Sequence, residues 1–230
     1  MKTSLKHYIK KNKTKNQDLA VSTHLEMMKL KRGRICLSPY LNVLLSIKEF
    51  MGDNCKNYVE IGSLWGGSVC CLLKLNNTNT TYTCIDLFTG YYGIEIDINK
   101  IKNHDYKKPE RCSPQTVHKH LLWESDNVGN VVINKNNHKS FVNDTIKMYN
   151  LNKNKINLIQ GSSYDDSTLK KFNELVNEID LLFIDGDHST EGVQKDFMKY
   201  NKFMNKNGII IFDNYGDPNW PGVKNGVDNI

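Results

Sequence analysis

No apolar stretch in the 230 residues approaches roughly eighteen in a row, so nothing reads as a membrane-spanning helix. The lysine-rich start lacks the apolar segment of a secretory signal. Cys36, Cys55, Cys70, Cys71, Cys84 and Cys112 show no C-x-x-C spacing, which argues against a zinc site or a disulfide framework. Free thiols in a reducing compartment are the expectation, and the Asn79-Thr80-Thr81 triplet then carries no glycan. The dinucleotide fingerprint G-x-G-x-x-G and the phosphate loop G-x-x-x-x-G-K-[ST] are both missing, as is any internal repeat.

What is present suits one α/β domain with an insertion. The apolar share of 39% is low but sufficient for a core, and the mean hydropathy of −0.55 reflects Lys and Asn crowded into loops. That composition fits an AT-rich genome, such as a large virus or a low-GC bacterium. The expected location is cytoplasmic, in the host cytoplasm if the source is viral. The net charge of +6 is mild, with its excess in "MKTSLKHYIKKNKTK". Residues 1–36 read as a basic extension, its start solvated and frayed in preference to a nucleic-acid-binding arm.

Leu37 to Met51 has helical apolar spacing, opens on Ser38-Pro39 and stops at Gly52. Five apolar runs then predict strands: "NYVEIG", "TYTCIDLF", "INLIQGS", "IDLLFIDGD" and "GIIIFDN". Helical patterns separate them, the first opened by Ser68, then "SFVNDTIKMYNL", "DSTLKKFNELVNEI" and "TEGVQKDFMKYNKFM". Near-continuous apolar strands alternating with helices predict a doubly wound, mainly parallel sheet covered on both faces. Residues from about 89 to 139 exceed any ordinary crossover, and predict a lid or substrate-facing insertion. It holds "GYYG", Trp123, His104, His118, His120 and His138.

Ligands of such sheets gather at the carboxyl ends of the strands. Here those ends carry Glu60 to Gly62, Asp86, Gly161 to Ser163, Asp185 to His188 and Asp213-Asn214. The first turn reads E-x-G-x-x-x-G-x-S from Glu60 through Gly62 and Gly66 to Ser68. Glycines admit a ligand to bare backbone, and the following helix offers free N–H groups. With an acid in front and no lysine, a zwitterion suits this turn better than a polyphosphate. Asp86 stands where an acid receives ribose hydroxyls. A nucleoside joined to an amino acid meets both demands, and S-adenosylmethionine is such a molecule.

From about Leu37 onward the chain resembles class I S-adenosylmethionine-dependent methyltransferases. "YVEIGSLWGGS", "LIQGSSYD", "DLLFIDGDHSTEGVQKDF" and "GIIIFDNY" resemble the catechol-type, macrocin-type and cephalosporin-hydroxylase-like branch. The resemblance implies a Rossmann-like methyltransferase domain at 37–230 and O-methylation of a small-molecule or glycan hydroxyl. It implies cofactor contacts from Glu60, Gly62, Ser63, Gly66, Ser68, Asp86, Ser163, Tyr164 and Asp185. It also implies Mg²⁺, or another divalent cation, on Asp185, Asp213 and Asn214, a hard-oxygen set. Where the catechol type has a lysine base, this chain has His188, whose pKa nearby acids are expected to raise. Asp187 is the other candidate for ligand or base. The family's final antiparallel edge hairpin has no counterpart before Ile230, which reads as truncation of a longer polypeptide or loss of the hairpin. Two further readings stay open. An RNA methyltransferase would use the basic start, but N-P-P-Y, D-P-P-Y and a lysine tetrad are absent; the other is a non-catalytic S-adenosylmethionine-binding protein. Expected partners are the acceptor and a second copy of the chain, with neither nucleic acid nor membrane.

Overall fold

A computed structural model describes residues 4–75, 79–107 and 113–230. Cys112 and part of the Asn-rich turn at 76–78 lie outside the described residues. Five parallel strands form one sheet in the order β3-β2-β1-β4-β5. They are β1 (Asn57–Ile61), β2 (Thr81–Asp86), β3 (Ile156–Gln160), β4 (Ile179–Ile184) and β5 (Met204–Phe212). The predicted doubly wound sheet is therefore observed. Its order reverses between β1 and β4, so the crevice for a ligand opens at their carboxyl ends.

Alternation along each strand feeds two cores. Tyr58, Tyr82, Cys84, Leu181 and Phe183 face one, while Val59, Ile61, Ile85, Leu182 and Ile184 face the other. The second core is closed by Phe172 of α7 (Asp166–Leu175) and Tyr200 of α8 (Thr190–Tyr200), with their rings edge-on at 5.1 Å. Against the first lie α1 (Leu5–Lys29), α2 (Pro39–Met51), α3 (Gly67–Leu73), α5 (Pro114–Val128) and α6 (His138–Tyr149). Cys55, Cys70, Cys71 and Cys84 are buried free thiols, and Cys36 is exposed.

The basic start departs from expectation. It is not a frayed segment but the 25-residue helix α1, capped by the Ser4 hydroxyl. Asn16, Ala20, Thr23 and Met27 recur every three or four residues and form its buried stripe. Asn16 Nδ2 donates to Ser46 Oγ of α2 at 2.8 Å. The lysines occupy the outer face.

The insertion at 89–139 carries α4 (Ile98–Lys102) and α5, and Ile96 pairs with Ile133 across its base. Ile94, Ile96, Ile101, Val117, Leu121 and Ile133 are buried in the first core. Among its described residues, the leading edge from Thr89 to Gly93 is the part that lines the crevice. After β5, α9 (Pro221–Asp228) packs on α8 where Gly222 and Gly226 leave no room for a Cβ.

Candidate active site

A cleft of about 710 Å³ opens above the carboxyl ends of β1, β2 and β4. A side chamber of about 80 Å³ continues beneath it toward Glu60 and Ser68. Gly62, at φ +87°, lines both spaces, but its hydrogen is required by the neighbouring strand end: a Cβ would stand 1.9 Å from the Asp185 carbonyl oxygen. Gly66 lines neither space; it is the left-handed N-cap of α3, pressed against Val142 and Ile146. What the structure shows for Gly66 is packing: a Cβ there would stand 3.0 Å from Ile146 and 3.1 Å from Val142. Ser68 lies inside α3, which begins at Gly67, so it is no N-cap; its hydroxyl reaches Glu60 Oε1 and Oε2 at 2.7 and 2.6 Å.

Glu60 is 1% exposed and accepts a second hydroxyl, Tyr58 Oη, at 2.5 Å. Burial pushes its carboxyl up to about 7 against the pull of those hydrogen bonds. Asp86 is more committed than the sequence suggests. Its Oδ2 accepts from Ser63 N and Leu64 N at 2.9 Å each, and Oδ1 from Phe88 N at 2.7 Å. It fastens the first turn to the second, and holds Leu64 and Phe88 in left-handed conformations at φ 44° and 45°. It still lines the cleft, and a carboxylate offers about four lone-pair sites. Ser163 and Tyr164 line the wall beyond Asp86. Tyr200 Oη fixes the Ser163 carbonyl at 3.2 Å, and Lys199 Nζ bonds the Tyr164 carbonyl.

On the opposite side Asp185, His188 and Asp213 converge, each offering a ligand atom within 4.8 Å of the others. His188 Nε2 lies 3.1 Å from Asp185 Oδ1, and Ser38, the N-cap of α2, donates Oγ to Asp213 Oδ1 at 3.2 Å. Burial, then the charge of Glu60, pushes the Asp185 carboxyl well above its ordinary range. Burial and the facing Asp185 carry Asp213 up to about 8. Two crowded carboxyls that resist ionising together are a fit for a cation, which would relieve both. Asn214 adjoins them in a left-handed conformation, φ 57°, with Nδ2 turned to Asp217 Oδ2 at 3.3 Å. Asp187 stays outside the convergence and caps the turn into α8 by accepting from Ser189 N at 2.9 Å.

His188 itself runs against expectation. Its acids do raise its pKa, but burial outweighs them and the net shift is downward. Neutral imidazole is thus its resting form, packed 4.6 Å from the Trp220 ring. Sequence reasoning missed Arg34, Cys36, Tyr91, Tyr92 and Trp220, which all line the cleft. Trp220 follows β5 and "GYYG" sat in the insertion, so both were in sight; Arg34 carried no local signal.

Residues 59–215 match the model of a family described as a methyltransferase domain. The chain belongs to that family. Its sheet is the fold of class I S-adenosylmethionine-dependent methyltransferases. The structure is similar to an O-methyltransferase from Bacillus cereus solved with S-adenosylhomocysteine, with a TM-score of 0.54 at 15% identity over 96% of this chain and 87% of that one. It is also similar to the calicheamicin methyltransferase CalS11, with a TM-score of 0.50 at 14% identity over 91% and 83% of the two chains. An uncharacterized protein of Acanthamoeba polyphaga mimivirus is 41% identical over 88 residues, 38% of this chain and 39% of that protein. The match thus spans well under half of that relative. Among the described residues no helix is long and apolar enough to cross a membrane.

Proposed function

We propose that this protein transfers the methyl group of S-adenosylmethionine to a hydroxyl of a small molecule or sugar, with a divalent cation at Asp185 and Asp213. The convergence of Asp185, His188 and Asp213 beside the glycine turn carries this reading. The side chamber supports the cofactor's amino-acid end: Glu60 and Asp185 suit an ammonium, and Ser63 and Ser68 offer hydroxyls. Asp86 suits the ribose, and Ser163 with Tyr164 the base. S-adenosylmethionine supplies a methyl already activated on sulfonium, so the protein chiefly aligns the acceptor, removes its proton and excludes water. The cation, when bound, lowers the acceptor's pKa. With Nε2–H given to Asp185, His188 keeps the Nδ1 lone pair for the acceptor's proton. Asp185 orients that ring, and the Trp220 ring restricts its rotation.

A second reading of His188 has its own support. Its ring nitrogen belongs to the same convergence as the carboxylates, which suits a third ligand of the cation. The whole proposal is tested by tritiated methyl transfer across catechols and glycosides. Turnover that EDTA suppresses and Mg²⁺ or Mn²⁺ restores supports it; turnover indifferent to EDTA removes the cation from the scheme. No thermal stabilisation by S-adenosylhomocysteine would remove the cofactor.

A further inference from the structure

One charged group in the cleft has no part in the scheme above. Arg34 sits in the loop between α1 and α2, lines both cleft and side chamber, and is only 11% exposed at its side chain. Its Nε donates to Glu124 Oε1 of α5 at 2.7 Å, and its guanidinium lies 4.2 Å from the Trp123 ring centroid. Glu124 is itself fully buried and fixed by Trp65 Nε1 at 2.8 Å on its other oxygen. The loop is stitched down around it: Gly33 N to the Asn127 carbonyl at 3.0 Å, Lys31 Nζ to the Asp126 carbonyl at 2.6 Å, and Ile35 N to His24 Nδ1 at 3.1 Å.

A guanidinium carries five N–H donors in a planar fork. Glu124 takes the one on Nε; among the described residues the terminal nitrogens have no hydrogen-bond partner. Anchoring a long cation by its inner nitrogen and by stacking, while its outer edge is left unpaired, prepares that edge for a second, bidentate partner. Solvation alone would not call for this restraint, since a surface arginine needs neither a buried counter-ion nor an aromatic bed. Among the described residues, Arg34 is the one arginine or lysine lining the two spaces, whose other charged or acidic side chains are His188 and the carboxyls Glu60, Asp86, Asp185, Asp187 and Asp213.

We propose that Arg34 is the oxyanion receptor of this cleft, taking a carboxylate through its two terminal nitrogens. The inference rests on the methyltransfer reading only for the sources of that carboxylate: the acceptor, or the amino-acid end of the cofactor. Arg34 touches both spaces where those would lie, and calorimetry with paired probes separates them. One pair is S-adenosylhomocysteine and its decarboxylated analogue. The other, with Mn²⁺ present, is 3,4-dihydroxybenzoate and 3,4-dihydroxybenzamide. Because Arg34→Met alone would strand the Glu124 charge, it is made on a Glu124→Gln background, with Glu124→Gln as reference. The reference should prefer the carboxylate member of one pair by about ten- to a hundred-fold, as expected of a charge-assisted pair, and the double variant should lose that preference. The pair that responds identifies the source. Equal preference in reference and double variant for both pairs, or no preference in either pair to begin with, overturns the proposal. If S-adenosylhomocysteine fails to bind while benzoate is still selected through Arg34, the methyltransfer reading falls and the anion site stands.

Discussion

At His188 two roles compete, and they part on different measurements. As base, His188→Ala should lower kcat by about 10²- to 10⁴-fold and leave the Mn²⁺ dissociation constant unchanged. As ligand, the same change should weaken Mn²⁺ as well, and His188→Lys should rescue neither. Because burial lowers this imidazole below its ordinary 6.5, kcat should climb with pH through a midpoint below that value. A rise centred above 6.5 would mean that the acids, not burial, govern the ring. Asp86 invites a similar separation. Asp86→Asn removes the charge from an acceptor of the N–H groups of Ser63, Leu64 and Phe88, so it should cost about 2 kcal/mol in urea unfolding even without ligand. Loss of S-adenosylhomocysteine affinity with full stability retained would instead make Asp86 a ligand contact and nothing more.

Elements were legible where burial speaks through apolar residues. The strands of a covered parallel sheet are near-continuous apolar runs, and all five were visible in "YVEI", "YTCID", "INLIQ", "IDLLFI" and "GIIIF". Their acidic ends placed Glu60, Asp86, Asp185 and Asp213 in one crevice. α1 was hidden because its inward stripe is Asn16, Ala20, Thr23 and Met27, with too few large apolar residues to show a period behind the lysine-rich start. Arg34 was hidden because its meaning depends on Glu124, 90 positions away. The burial of α1 makes its own prediction. Ala20→Asp would put a charge without a partner into the buried stripe of α1 and should lower stability by about 3 kcal/mol or more, whereas Lys10→Glu and Lys13→Glu, both exposed, should change it by less than about 0.5 kcal/mol. Equal, negligible effects in guanidinium unfolding would return the segment to the frayed state its composition suggests.

Across the whole molecule the buried acids act together on stability. Glu60 and Asp196 are raised to about 7 and Asp213 to about 8, each chiefly by burial. In the unfolded chain such groups ionise near 4, so the folded state binds more protons between about pH 4 and 8. Their contribution to stability is therefore complete below about pH 4 and is lost as pH rises through 7 to 8, by an amount on the order of a few kcal/mol for each group. Ligand-free protein should melt progressively lower from pH 5 to pH 8. Mn²⁺ with S-adenosylhomocysteine should flatten most of that slope, because a cation beside Asp213 and an ammonium beside Glu60 favour the ionised forms. Asp196 is not among the residues lining either space; it is packed on α8 beneath Gly186, where a Cβ would stand 3.0 Å from its Oδ2. The slope that survives the ligands should therefore be the one that Asp196→Asn removes. A melting temperature that rises from pH 5 to pH 8 without ligands would show these carboxyls already ionised and compensated, and would take the cation and the ammonium out of the site's electrostatics together.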